Sequence, residues 1–329
     1  MEDQTLIITQ QEIEQALTLN DYISIIEGVH ARHARHEVFD PDLLHADVQK
    51  GEFHIKTGGL IYPEHQYYGV KLNGGFPENR QLYHLPNILG VIYICDARNG
   101  YPLAIMDSVT ISRLRTGAAT AVAAKYLAPA GKIRLGITGY GAQAEVQLQA
   151  LLNVCDIKEI RVSGRNPEKA RTFAESWQDK LPCPIFQDSI ENTVRQSNIL
   201  VTTTPSRHYY IKKEWVTPGT FIAAIGADSP GKQELEPELV ASAIVVADIK
   251  KQVCRVGESQ HAIRQRLMDD NDIYAELGEI ITAQKDKPAN NRTIIYDSTG
   301  TALQDIGIGI EIYQKLKQTD CYKVCLFNQ

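Results

Sequence analysis

The segment Ile133-Arg-Leu-Gly-Ile-Thr-Gly139-Tyr-Gly141-Ala-Gln-Ala144-Glu limits what this chain can fold into more than any other stretch. A short apolar, β-branched run leads into a glycine turn, and a helical pattern follows. Gly139 permits a tight strand-to-helix turn in which a side chain would clash. Gly141 lets the backbone approach a pyrophosphate, and Ala144 is small enough for the helix to pack on the strand. The free N–H groups and positive end of that helix then face an anion. The pattern G-x-G-x-x-A predicts a dinucleotide-binding unit and hydride chemistry on a nicotinamide. An ordinary strand-to-helix turn is the alternative.

The rhythm around this turn supports the first reading. Strands are expected at 133–138, 159–163, 198–203, 220–225, 243–247 and 293–297. Helices are expected between them at 142–153, 167–179, 189–195, 235–240 and 271–282. Alternation of this kind predicts an α/β fold with a doubly wound parallel sheet. Upstream, Thr9 and Asn20-Asp21 are candidate helix caps, the second helix running to about residue 36, and short strands are expected at 53–56, 67–72 and 91–96. An Ala-rich helix over 112–127 and a last helix over 301–316 complete the pattern.

A net charge of −6 argues against a nucleic-acid or anionic-membrane surface. The longest apolar run, around 118–130, is broken by Lys125 and Pro129, so no membrane span is expected. The acidic start Met1-Glu-Asp-Gln is unlike a signal peptide. Six scattered cysteines without a C-x-x-C pair read as reduced thiols of a cytoplasmic protein. His30, His33 and His36 recur along one helix face and read as a polar face rather than a metal site, and no metal is expected elsewhere.

Several polar residues stand where a site would form. The second strand of the parallel unit ends in Gly164-Arg165-Asn166, with no carboxylate for a ribose 2′-OH and with an arginine suited to a 2′-phosphate. That favours NADP(H) over NAD(H), with a solvated Arg165 as the alternative. Lys71 leads into a Gly-Gly turn, and Arg113 and Arg115 open the Ala-rich helix. Thr202-Thr-Thr204, Ile225-Gly226-Ala-Asp228 through Lys232, and Asp297-Ser298-Thr299-Gly300 follow expected strand ends, where the ligands of such sheets bind. Asp228 is a candidate acid/base group and Lys232 a phosphate or substrate contact. Each run is individually compatible with turn chemistry.

Lys71-Leu-Asn-Gly-Gly-Phe-Pro-Glu-Asn79, Met106-Asp through Leu114-Arg-Thr-Gly-Ala-Ala-Thr120, Gly139-Tyr-Gly-Ala-Gln143, Gly226-Ala-Asp-Ser-Pro-Gly-Lys-Gln-Glu-Leu235 and Asp297-Ser-Thr-Gly300 occur in order over nearly the whole chain. Together they resemble the ornithine cyclodeaminase/mu-crystallin family. The resemblance implies a Rossmann domain over 118–300. It also implies an α+β substrate-binding and dimerisation domain from 1–117 and 301–329, with the expected strands between 53 and 96 as interface of a homodimer. It implies substrate contacts from Lys71, Arg115, Thr299 and Lys56, the last standing where an alanine dehydrogenase branch carries arginine. Catalytic roles fall to Lys71 and Asp228. Cofactor contacts are implied for Asn87, Arg115, Gly139, Gly141, Ala142, Gln143, Arg165, Asn166, Thr204, Ile225, Gly226, Asp228, Lys232 and Ser298. The implied activity is NAD(P)H-dependent interconversion of a small L-amino acid and its imino or keto acid, of the alanine dehydrogenase or pyrroline/piperideine-2-carboxylate reductase type. A cyclodeaminase lyase with bound NAD, usually acidic at the Gly164 position, is the first alternative. A mu-crystallin-like NADP-dependent ligand-binding protein, which lacks the Asp228 carboxylate, is the second.

Overall fold

A computed structural model describes residues 4–289, 291–319 and 323–325. Its first half is built on strands β1 (Thr5–Ile8), β2 (Val38–Val48), β3 (Gly51–Ile61), β4 (Gln66–Gly75), β5 (Ile88–Asp96) and β6 (Pro102–Asp107). These strands form one sheet in the order β1-β6-β5-β4-β3-β2, with strand Lys323–Cys325 added beyond β1. β2 to β6 run antiparallel to one another, while β1 pairs with β6 in parallel. The sheet belongs to a unit formed by Met1–Arg115 and Thr301–Gln329.

Cross-strand register decides which side chains share a face of this sheet. Lys56 lies opposite Lys71, Lys71 opposite Ile92, and Ile92 opposite Met106. Helix Ala302–Leu316 packs against β3, β4 and β5 and against helix Leu19–Ala34. Gly307 makes its approach to helix Leu19–Ala34 possible, since a Cβ there would stand 2.5 Å from Val29 Cγ2. The opposite face keeps apolar side chains half-exposed, including Leu44, Val48, Leu72, Leu89 and Val91.

The second unit, Thr116–Gly300, is an eight-stranded sheet, parallel in every pairing. Its strands are β7 (Ile133–Thr138), β8 (Ile157–Ser163), β9 (Ile185–Gln187), β10 (Ile199–Thr202), β12 (Phe221–Ala224), β14 (Ile244–Ala247), β15 (Ala275–Glu276) and β16 (Ile294–Asp297). A small parallel pair, β11 (Arg207–Ile211) with β13 (Gln233–Leu235), stands apart from it. The order β9-β8-β7-β10-β12-β16-β14-β15 reverses direction between β7 and β10. Ligands of open α/β sheets bind outside the strand C-termini at such a switch point. The fold is therefore α/β, a Rossmann-like parallel sheet with a separate, mainly antiparallel unit.

Three local expectations are corrected. The second N-terminal helix is capped by Thr18, and Asp21 closes a capping box from inside the helix. The histidines do not make a polar face. His30 is buried and meets Gln304 at 3.2 Å, while His36 lies past the helix end at φ +59°. The helix expected over 271–282 is a single turn at Asp270–Asp272, strand β15 and a short helix at Leu277–Ile281.

Candidate active site

In the first unit, strands β3 and β4 deliver Lys56 and Lys71 to one buried place, and the start of helix Val109–Leu127 delivers Ser112 and Arg115. Helix Ala302–Leu316 contributes a carboxylate, Asp305, with no solvent exposure. Lys71 Nζ donates to Asp305 Oδ2 at 2.5 Å and to Ser112 Oγ at 3.3 Å. Arg115 Nε donates to Asp305 Oδ1 at 3.1 Å, and its Nη1 donates to Gln304 Oε1 at 3.1 Å. Lys56 is buried beside them and acts on both Lys71 and Asp305 electrostatically.

Lys71 and Arg115 thus share the buried carboxylate of Asp305, and Lys56 lies close enough to act on both Lys71 and Asp305 electrostatically. Burial pulls the Lys71 ammonium down to about 7 against the attraction of Asp305, and repulsion from Arg115 and Lys56 adds to the fall. For Asp305 burial pushes upward, but Arg115 and Lys71 win and hold the carboxyl below its ordinary value. A bound anion would offset the mutual repulsion of Lys71, Arg115 and Lys56. A carboxylate suits the planar donor fork of Arg115. Asn87, by contrast, is exposed in the loop before β5, where its side chain accepts the Arg80 N–H at 3.2 Å.

In the second unit, Gly139 has φ +118°, and a Cβ there would stand 2.3 Å from Thr203 Oγ1. Only glycine fits, because β7 and β10 are adjacent and their loops touch at the switch point. Gly141 caps helix Ala142–Leu152 without a side-chain hydrogen bond, and nothing lies within 4 Å of a Cβ placed on it. Gly141 and Ala142 are exposed, Ala144 is fully buried, and Gln143 Oε1 is a buried acceptor with no hydrogen-bond partner among the described residues. An open cradle at an uncapped helix start, where backbone N–H groups lack partners, fits a diphosphate. Gly164 is small for a separate reason, since its Cβ would strike the Tyr140 ring at 2.5 Å. Arg165 next to it is exposed, and Asn166 caps helix Pro167–Trp177 by accepting from Lys169 N at 3.1 Å.

The loops after β10, β12 and β16 are held by two buried acids that the sequence did not single out, Glu234 and Asp248. Glu234, on β13, accepts from Thr204 N and Thr204 Oγ1 at 2.7 Å each, from Tyr210 OH at 2.6 Å and from Gly226 N at 3.0 Å. Burial pushes its carboxyl up, against those hydrogen bonds. Asp248 accepts from Gly300 N at 2.6 Å, Thr299 N at 2.9 Å and Ser298 Oγ at 3.2 Å, and so shapes the turn after β16. Asp297, which accepts from Glu258 N at 3.1 Å and Ser259 Oγ at 2.7 Å, is pushed by burial to about 7. Ile225 is buried at the end of β12. Beyond it Asp228 is partly exposed and takes the Lys232 ammonium at 2.6 Å and the Ser229 hydroxyl at 3.2 Å. The two candidates read separately from the sequence are thus one ion pair.

The sequence profile of the ornithine cyclodeaminase/mu-crystallin family matches residues 3–320. An alanine dehydrogenase of Archaeoglobus fulgidus is 34% identical over 312 residues, covering 94% of this chain and 95% of that one. The solved structure of an archaeal alanine dehydrogenase dimer with bound NAD superposes with a TM-score of 0.92 at 33% identity, over 98% of this chain and 99% of that one. A Thermococcus litoralis Delta(1)-pyrroline-2-carboxylate reductase, solved with NADH and L-proline, superposes at 0.89 with 28% identity, over 97% and 99% of the two chains.

Proposed function

Because this chain belongs to the ornithine cyclodeaminase/mu-crystallin family, we propose that it is an NAD(P)H-dependent oxidoreductase interconverting a small L-amino acid and its imino or keto acid. The observation that carries this reading is the buried cluster of Lys56, Lys71 and Arg115 about the carboxylate of Asp305. That charge balance selects an anionic substrate, and its burial excludes water from the bound carboxylate. The Gly139–Gln143 turn is the proposed diphosphate cradle, and the nicotinamide, when bound, supplies the hydride chemistry. We assign Asp228 to the proton on the substrate nitrogen, with Lys232 holding its carboxylate in place. Ser298 and Thr299, fixed by Asp248, are proposed ligand contacts.

Arg165 carries the proposed preference for NADPH. It is exposed beside Gly164, and no acid stands there to compete for a 2′-phosphate. The half-exposed apolar face of β2 to β5 supports a homodimer, as the archaeal relative is described.

The test is absorbance at 340 nm, with NADPH and NADH offered separately against pyruvate plus ammonia, pyrroline-2-carboxylate and piperideine-2-carboxylate. Oxidation of NADPH with one of them is expected. Arg165→Ala should then weaken NADPH by about 10- to 100-fold while leaving NADH within about two-fold, the range of a lost charge-assisted hydrogen bond. Ammonia release from ornithine or lysine with catalytic NAD, and no net oxidation of any substrate pair, would overturn the reductase reading.

A further inference from the structure

The β2–β3 hairpin carries a second cluster of chemically competent side chains. His45 on β2 lies directly opposite His54 on β3, and Asp47 lies opposite Glu52 two register pairs nearer the turn. In an antiparallel pair, such residues point from the same face. His45 Nε2 stands 3.7 Å from Glu52 Oε2, His54 Nε2 stands 3.3 Å from Glu52 Oε1, and His45 Nε2 meets Asp47 Oδ1 at 3.1 Å. The two imidazole rings are 4.7 Å apart at 74°. One ligand atom from each of His45, Glu52 and His54 fits within a 4.8 Å span.

We propose that His45, Glu52 and His54 hold a divalent ion of the Zn2+ class, with Asp47 available as a fourth ligand. Tetrahedral ligands about 2.0–2.1 Å from zinc lie roughly 3.3–3.4 Å from one another. The 3.3 and 3.7 Å separations are close to this value, and rotamer adjustments of about 1 Å draw the 4.8 Å span of the three ligand atoms around one ion. Two nitrogens and a carboxylate select a borderline transition ion over Mg2+ or Ca2+, which take all-oxygen sets. His45, Glu52 and His54 are 20%, 29% and 17% exposed, so the ion is partly shielded, while Asp47 is 85% exposed and meets His45 from the solvent side. The hairpin fixes the backbone, so little ordering entropy opposes binding. The proposal is independent of the oxidoreductase reading. Sequence spacing did not reveal the site because the ligands meet across two strands.

Isothermal titration of the chelator-stripped, full-length protein with ZnCl2 tests it. One saturable Zn2+ per chain is expected, with His45→Gln and His54→Gln each weakening it by at least about 10-fold. Both variants should keep the wild-type melting temperature in the absence of metal. Co2+ substitution should give tetrahedral d–d bands without a thiolate charge-transfer band. No saturable binding would overturn the proposal. So would binding that survives in the double variant, or a thiolate band placing the ion on cysteine.

Discussion

Lys71 is the residue at which burial and charge compete most openly. Its ammonium is pulled down to about 7, and only the protonated form attracts a carboxylate. Binding of an anion through this group is therefore fully developed below about pH 7 and decays above it. The inhibition constant of a non-titrating carboxylate such as propionate should be flat at acid pH and rise by up to about ten-fold per unit on the alkaline side. Lys71→Arg should push that rise out of the measurable range, because guanidinium keeps its charge. A wild-type profile flat through pH 9 would defeat this account. The same cluster gives an asymmetry in stability. Lys71→Met leaves Asp305 paired with Arg115, whereas Asp305→Asn leaves buried cations facing one another without a carboxylate. Urea unfolding at pH 6 should show Asp305→Asn destabilised by about 3 kcal/mol or more, and Lys71→Met by clearly less. Equal losses would mean that Asp305 does not organise the cluster. Asp305 escaped the sequence reading because it sits in a mainly apolar stretch of its helix, Leu303-Gln-Asp305-Ile-Gly-Ile. An acid among buried aliphatic residues was itself the available signal.

At the scale of elements, the strand–turn–helix at 133–152 was readable because its period and its glycines state the same geometry. Gly139→Ala should expose the cost of that geometry. The residue would have to adopt φ +118° with its Cβ against Thr203 Oγ1, strain of about 1–3 kcal/mol before any steric relief. The expected result is a folded chain with cofactor affinity lowered by at least ten-fold, read by fluorescence titration with NADPH. Unchanged affinity would remove the turn from the cofactor site. Strand β2 was not readable for a physical reason. It stands at the end of its sheet, contains Pro41 and Asp40, Asp42 and Asp47, and shifts register between Phe39 and Asp42. Edge strands tolerate such residues, and their alternation is correspondingly blurred. Glu234 and Asp248 were missed because their partners are backbone N–H groups of distant loops, a pairing that no local pattern records.

At the scale of the whole molecule, the outer face of the first unit's sheet poses a solubility problem that a second copy would solve. Leu44 is 60% exposed, Val48 44%, Val91 43% and Leu72 38%, all on strands of one sheet. Leu72 and Val91 are direct cross-strand partners, so together they mark one spot on that face. A two-fold interface is self-complementary, and a charge introduced at such a spot meets related positions of the partner copy. A single carboxylate there must be desolvated, and several like charges also repel. Light scattering behind size exclusion should give about twice the 36.7 kDa chain mass for the wild type. Leu72→Glu combined with Val91→Glu should give the single-chain mass, with the far-ultraviolet dichroism unchanged because both side chains point away from the packed helix. A monomeric wild type, or a double variant that still runs at twice the chain mass, would place the partner surface elsewhere. In a monomeric variant, the Lys71–Asp305–Arg115 contacts lie within one chain, so a loss of substrate affinity on dissociation would have to come through the sheet that carries Lys56 and Lys71. Measuring the propionate inhibition constant in the same variant therefore separates a dimer that only covers apolar surface from one that also holds the sheet in its binding geometry.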